Sequence, residues 1–290
     1  MEIKNYKFKV DSILKVEVVN LKTLLSSNKG HLVTPHRTNF YHVFLFENCQ
    51  PKHVIDFISY KVKPYSLLFI DKDKVHQFDQ LLNYEGRVLI FTEDFFCTTE
   101  NDLKFLRSTT LFNDINNNPQ LNIDKNSFQK YSSIADDIYE EGKLPPDTSK
   151  QIILKNLLHN FLLLAEREKL KNKSNENNKG VDLDYAILFK DLLDKHFKTA
   201  KSVSYYANKI NVSEKKLGQS TAKILGKMPK ELIDERVILE AKRLLVHGNK
   251  TIKEVGFMLG FEEPTNFIKY FRKHTLKTPV EFRELHLFKK

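Results

Sequence analysis

Between Phe40 and Phe91 the chain is divided into short runs rich in Val, Ile, Phe and Tyr: Phe40–Glu47, Val54–Val62, Ser66–Ile70 and Arg87–Phe91, bounded by Asn, Pro, Asp and Gly. Runs of that length and spacing predict strands of an antiparallel sheet or barrel. After Pro119 the period changes. Phe128, Tyr131, Ile134, Ala135, Ile138 and Tyr139 recur at helical spacing up to Gly142, and Lys143-Leu-Pro-Pro predicts a turn. A second helix follows, capped by Asp147 or Thr148. Its apolar positions Ile152, Ile153, Leu157, Phe161, Leu162 and Leu164 form a stripe wider than one partner helix covers. Two readings of the stripe stand open: a dimer contact made by two antiparallel helices, or cover for the neighbouring sheet.

Glu168 to Gly180 has a single apolar residue and is dense in Asn and Lys, so it cannot bury itself and reads as a linker. The expected organisation is therefore residues 1–118 as a sheet or barrel domain, 119–168 as a helical hairpin, 169–180 as a linker and 181–290 as an all-helical domain.

That last segment contains an internal repeat. Ser202-Val203 leads through Tyr206, Ala207, Ile210 and Ser213 to Leu217, then Gly226, Pro229, Glu231 and Leu232. The order returns as Thr251-Ile252, Val255, Gly256, Leu259 and Glu262 to Phe267, then Leu276, Pro279, Glu281 and Phe282. Each copy has a capping Ser or Thr, a short helix, a small residue where two helices must approach closely, a turn and a second helix. Those are the parts of a helix-turn-helix. Between the copies, Pro229 to Val246 lacks internal Gly and Pro and predicts one helix of about 27 Å at ~1.5 Å per residue. A rigid spacer of that length sets two recognition helices near one DNA turn, about 34 Å, apart.

Charge sharpens this picture. The chain of 290 residues carries a net charge of +10. Residues 181–290 hold 22 Lys/Arg against 14 Asp/Glu, whereas residues 1–180 hold 25 against 23. The basic excess in the helical segment favours a polyanion partner, and the near-neutral segment favours a small or uncharged one. At 41% hydrophobic residues the chain has enough apolar material for a sizeable core. Two cysteines, Cys49 and Cys97, make no disulfide framework and no CxxC spacing, which points to a reduced, cytoplasmic compartment. No apolar run approaches the ~20 residues of a membrane span, so no membrane partner is expected.

The run Gly260-Phe261-Glu-Glu-Pro-Thr-Asn-Phe267-Ile-Lys-Tyr-Phe271-Arg-Lys273, followed by Thr278-Pro279-Val-Glu281-Phe282-Arg283, resembles the C-terminal signature of the AraC/XylS family of transcription regulators. The resemblance covers residues 185–284. It implies an α+β chain: an N-terminal cupin-like β-barrel for sensing, with two dimerisation helices, a linker, and a C-terminal all-α domain with two helix-turn-helix motifs. It further implies a homodimeric, sequence-specific DNA-binding regulator, an activator that contacts RNA polymerase and answers to a small effector. The family's base-facing positions fall on Lys215, Gly218, Gln219 and Ala222, and on Pro264, Thr265, Asn266 and Lys269. Asn and Gln pair with adenine, Lys with guanine, and the Thr methyl meets a thymine methyl. Lys216, Lys223, Arg272 and Lys273 then neutralise phosphates. The sequence departs from the family at Leu276, where Gly is usual, and in the first recognition helix at Thr221, where a large aromatic is usual, and at Gly218.

In the N-terminal half, His36 and His76 fall on segments where the family holds its effector, with Arg37 placed for a carboxylate or phosphate and Tyr41 for stacking on a ring. The five histidines His31, His36, His42, His53 and His76 lack the His-x-His pair and following Glu of a metal site, so no metal or other cofactor is expected. No Gly-rich phosphate loop, Gly-x-Ser-x-Gly or HExxH motif supports catalysis. Two alternatives remain: a DNA-binding domain fused to a cupin-type metal enzyme, and an architectural DNA binder without a sensor role.

Overall fold

The structure, a computed structural model, describes residues 4–8, 14–80, 84–112, 118–171 and 180–287, apart from the side chains of 28–31 and 287. Most of the expected linker, residues 172–179, and the side chain of His31 lie outside the described residues. The chain divides into two compact units, residues 4–175 and 176–290.

The first unit runs β1 (Lys4–Tyr6), β2 (Val16–Asn20), α1 (Leu21–Leu32), β3 (His36–Thr38), β4 (Tyr41–Phe46), β5 (Lys52–Ile55), β6 (Ile58–Lys61), β7 (Ser66–Ile70), β8 (His76–Phe78), β9 (Gly86–Phe91), α2 (Glu93–Phe96), α3 (Glu100–Ser108), β10 (Gln120–Asn122), α4 (Lys125–Lys143) and α5 (Lys150–Lys171). Its strands form two five-stranded sheets, ordered β1-β3-β8-β5-β6 and β10-β7-β4-β9-β2. In the second sheet β4 pairs antiparallel with both β7 and β9. One face, with Phe44, Phe46, Leu68, Ile70 and Val88, packs on Ile55, Phe78 and Tyr84 of the other sheet and its loops. The opposite face, with Val43, Leu45, Leu67, Phe69, Leu89 and Phe91, lies in one core with α4 and α5. Being covered on both faces is why β4 and β7 read as unbroken apolar runs rather than alternating ones.

The predicted Val54–Val62 run is not one strand. It is a hairpin, β5 and β6, turning at Asp56 (φ 45°) and Phe57 (φ 72°). Asp56 exchanges backbone and side-chain hydrogen bonds with Val75, its N–H donating to the Val75 carbonyl at 2.8 Å and its carboxylate accepting the Val75 N–H at 3.2 Å. These bonds hold a left-handed turn that the pair Asp-Phe does not advertise.

The stripe on α5 divides, with Ile152 and Ile153 exposed and its later residues turned to the core. Phe161 and Leu162 are fully buried and belong to the cluster beneath the sheet, and Leu157 and Leu164 pack against it. Phe161 is therefore taken up by the core of its own unit, whereas Leu157 and Leu164 are only half-buried. Polar ties fix the same helix: the Glu166 carboxylate accepts from the Thr109 hydroxyl and the Thr110 N–H, and Lys169 donates to the carbonyls of Thr110 and Asn118 at 3.0 and 2.9 Å.

The second unit is all helical: α6 (Val181–His196), α7 (Val203–Ile210), α8 (Glu214–Leu225), α9 (Pro229–His247), α10 (Ile252–Met258), α11 (Pro264–Thr275) and α12 (Pro279–Leu287). Phe189, Tyr206, Leu217, Ile233, Val237, Val255, Phe267 and Phe271 are buried in it. Among the described residues no helix is long and apolar enough to cross a membrane.

Candidate nucleic-acid interface

The sequence repeat is a structural repeat, down to single hydrogen bonds. Ser202 caps α7 by accepting the Tyr205 N–H, and Thr251 caps α10 in a capping box with Glu254. Each turn closes on the same bond: the Val212 N–H donates to the Ala207 carbonyl at 3.0 Å, and the Phe261 N–H to that of Gly256 at 3.0 Å. The left-handed turn residue is Asn211 (φ 60°) in the first copy and Gly260 (φ 73°) in the second. A β-carbon on Gly256 would stand 3.2 Å from the Phe267 β-carbon, which explains the small residue at that crossing. Beyond the second helix, Gly226 (φ 67°) and Leu276 (φ 61°) take the same left-handed cap. Glu231 and Glu281 then each accept the backbone N–H three residues before them, at 2.8 and 2.7 Å. Leu276, where the family pattern expects Gly, thus adopts the glycine conformation and is 88% exposed.

The two copies lock together through α9, 19 residues and about 28 Å long. Its Arg236 donates to Asp194 of α6 at 2.8 Å and lies over the Phe197 ring, while buried Glu240 pairs with Arg243 at 3.1 Å. At the far end Arg283 of α12 donates to the carbonyls of Leu245 and Lys250 at 2.9 and 2.6 Å. The turn of the second copy docks on the loop after α6, where Lys201 donates to the carbonyls of Lys198 and Gly260 at 3.1 and 3.3 Å.

On α11, Thr265, Asn266, Lys269, Arg272 and Lys273 are all exposed, and the first three line the N-terminal half of the helix. Phe267 and Phe271 hold its inner face, with Tyr270 donating to Asp234 of α9 at 2.6 Å. That bond and burial push the Tyr270 phenol far above its ordinary value, burial being the larger cause. On α8, Lys215, Gln219 and Ala222 are exposed. Gly218 is not among them: it is buried, and a β-carbon there would stand 3.1 Å from the Met228 methyl, so it serves packing and not base contact. Thr221, buried where the second copy has Phe271, returns its hydroxyl to the Gly218 carbonyl at 3.2 Å. Lys216 and Lys223 both pair with Asp182 of α6, at 2.7 and 3.1 Å.

In the first unit the four residues expected around an effector do not share one site. His36 and His76 are cross-strand partners on β3 and β8, with ring centroids 4.4 Å apart. Tyr41 instead faces the helical side of β4, stacked on Phe91 and donating to Glu93 at 3.4 Å. Arg37, next to His36 in β3, is half-buried. Alternation along β4 sends Tyr41 one way and His42 the other. His42 and His53 join His36 and His76 between the sheets, and all four are at most 6% exposed. His53 Nε2 is 3.1 Å from His76 Nδ1. Burial holds all four imidazoles neutral, His53 with a pKa lowered to about 3. His42 Nδ1, His53 Nδ1 and His76 Nε2 have no hydrogen-bond partner among the described residues. Among the described residues no group of three or more His, Cys, Asp or Glu is placed to hold a metal ion. Sequence spacing missed this cluster because strand register, not proximity in the chain, brings it together. The parity of His53 and His76 in their strands is the signal it did carry.

A helix-turn-helix domain model matches residues 206–285. The bifunctional transcriptional activator/DNA repair enzyme AdaA of Bacillus subtilis is 28% identical over 109 residues, 38% of this chain and 52% of that protein. The HTH-type transcriptional activator RhaS of Escherichia coli is 22% identical over 145 residues, 50% of this chain and 49% of that one. The structure of ToxT from Vibrio cholerae covers 84% of this chain and 90% of its own, at 16% identity and a TM-score of 0.43. The chain spans about half the length of the curated relatives it matches. With paired helix-turn-helix units sharing caps, turns and spacer, and the domain match over residues 206–285, the C-terminal unit is a helix-turn-helix domain similar to those of AraC/XylS-type transcription regulators.

Proposed function

We propose that the protein is a transcription regulator that binds double-stranded DNA sequence-specifically through α8 and α11, set in successive major grooves by α9. The observation that carries this reading is the repeat itself: two units with the same caps and turn bonds, each presenting one exposed polar helix face. Lys215, Gln219, Thr265, Asn266 and Lys269 are the base readers, and Arg272 and Lys273 hold phosphates, with Lys216 and Lys223 placed for the same role on α8. In this reading the protein is a cytoplasmic homodimeric activator that meets RNA polymerase at its promoters. The first unit, residues 4–171, is the cupin-like sensing half. The unpartnered nitrogens of His42, His53 and His76 support an effector with hydrogen-bonding groups seated between the sheets, His36 and His76 included. Arg37 serves from the edge of β3, whereas Tyr41 belongs to the helical side and leaves the site.

The test is selection of duplexes from a random library by the full chain, followed by hydroxyl-radical footprinting. Two protected segments about one helical turn, or 34 Å, apart on one face of the duplex support the reading. Uniform, sequence-independent protection refutes it.

A further inference from the structure

The two recognition helices differ in what faces their cations. Positions 216, 220 and 223 of α8 correspond to 266, 270 and 273 of α11. In the second copy the carboxylate of Asp234 on α9 takes Tyr270, Lys230 and His274, leaving Lys269 and Lys273 without a side-chain partner among the described residues. In the first copy the carboxylate of Asp182, in the first turn of α6, takes Lys216 at 2.7 Å, the Ser220 hydroxyl at 2.8 Å and Lys223 at 3.1 Å. Ser220 and Tyr270 are therefore equivalent anchors, but only Asp182 also ties up the phosphate-directed lysines.

We infer that Asp182 is a latch on the first recognition helix, competing with DNA phosphate for Lys216 and Lys223, so that α8 grips the duplex with less charge than its sequence carries. This rests on the DNA-binding reading of α8 and α11. Three donors, Lys216 foremost, hold the Asp182 carboxyl well below the usual carboxylate range, so the latch stays charged at any ordinary pH. Both lysines are solvent-accessible at 42% and 61%, and exposed ion pairs are weak, so phosphate can displace the carboxylate at a modest cost. The second copy, with no such acid on Lys273, grips first. The first copy follows when its lysines change partner.

The experiment is a salt titration of the full chain on a mixed-sequence duplex between about 50 and 200 mM salt, with Lys273→Ala as reference. Asp182→Asn should tighten binding several-fold and steepen log K against log salt by roughly one unit. Lys216→Gln/Lys223→Gln should weaken binding less than Lys273→Ala alone does, since each of these lysines must first give up Asp182 to reach phosphate. An Asp182→Asn protein that binds like the wild type, or more weakly, overturns the latch. So does a loss in the double lysine variant larger than that of Lys273→Ala, which tests the point even if Asp182→Asn does not fold. If the wild type shows no salt-dependent binding and Lys273→Ala changes nothing, the DNA reading falls and the latch with it. If Lys273→Ala lowers the slope and Asp182→Asn does not raise it, only the latch falls.

Discussion

Replacing Gly260 by alanine puts a β-carbon 1.9 Å from the Lys198 carbonyl oxygen and 3.0 Å from its carbon. Both obstacles are backbone, so neither rotates away. Gly260 also sits at φ 73°, where a β-carbon costs about 1–2 kcal/mol before any clash. Relieving the contact means separating the turn of the second helix-turn-helix from the loop after α6. That separation strains the Lys201 hydrogen bond to the Gly260 carbonyl and the seat of Lys201 over Phe261, 4.6 Å from the ring centroid. Together these amount to roughly 3 kcal/mol or more, within the range of severe backbone substitutions. For a unit of about 100 residues that lowers Tm by ~12 °C or more, at 4–8 °C per kcal/mol. Asn211 provides the internal control, because it holds the same turn position at φ 60° with a side chain present. Asn211→Ala should cost only about 1 kcal/mol. Calorimetry of the full chain, following the transition of the helical unit, checks both. A Gly260→Ala protein within 1 kcal/mol of wild type, or one no worse than Asn211→Ala, refutes the docking of this turn on Lys198.

Three further outcomes follow from the same geometry. Leu276→Gly removes a left-handed leucine that is 88% exposed and should raise the denaturant midpoint of the helical unit, by about 0.5–1 kcal/mol once the flexibility of Gly in the unfolded chain is counted. The four buried histidines have depressed folded-state pKa values, so the folded unit binds fewer protons than the unfolded chain. Their stability contribution is full above the ordinary imidazole value of 6.5 and is lost as pH falls from there toward about 3, the value for His53. Urea titrations from pH 7 to 5 should show the sheet unit weakening by more than the ~1.4 kcal/mol per pH unit that one histidine supplies; a flat profile counts against the cluster. Phe161→Ala should cost about 3–5 kcal/mol and lower the melting point of the sheet unit, because the ring lies under the sheet; a variant of full stability that only becomes monomeric in sedimentation would place Phe161 in a dimer contact instead.

How much of this was readable in the sequence depends on how local the controlling physics is. The helical unit was legible nearly residue by residue, since Ser202, Thr251, Gly226, Pro229 and Pro279 act through the turn on which they sit. The strand runs Ser66–Ile70 and Arg87–Phe91 were legible as well, the second beginning one residue earlier in the structure, at Gly86. The turn at Asp56-Phe57 was not, because Val75, about twenty residues away, holds it. Nor was the separation of Tyr41 from His36 and His76, which depends on which face of β4 meets the helices. Which residues of the α5 stripe turn to the core, as Phe161 does, and which stay exposed, as Ile152 does, could not be told until the sheet beneath it was placed. The Asp182 contacts lie 34 to 41 residues from the lysines they hold, beyond any motif in α8.

The central claim, that α11 reads bases with its N-terminal half and grips phosphate further along, is tested most directly by one salt titration. Wild type, Asn266→Ala and Lys273→Ala are each measured on a selected duplex and on its scrambled counterpart. Asn266→Ala should lose about 1–3 kcal/mol of discrimination at one base pair while general affinity changes little. Lys273→Ala should weaken both duplexes about equally and lower the slope of log K against log salt by roughly one unit. The opposite pattern, with Asn266→Ala weakening both duplexes equally and Lys273→Ala changing their ratio, would contradict the placement of this helix in the groove.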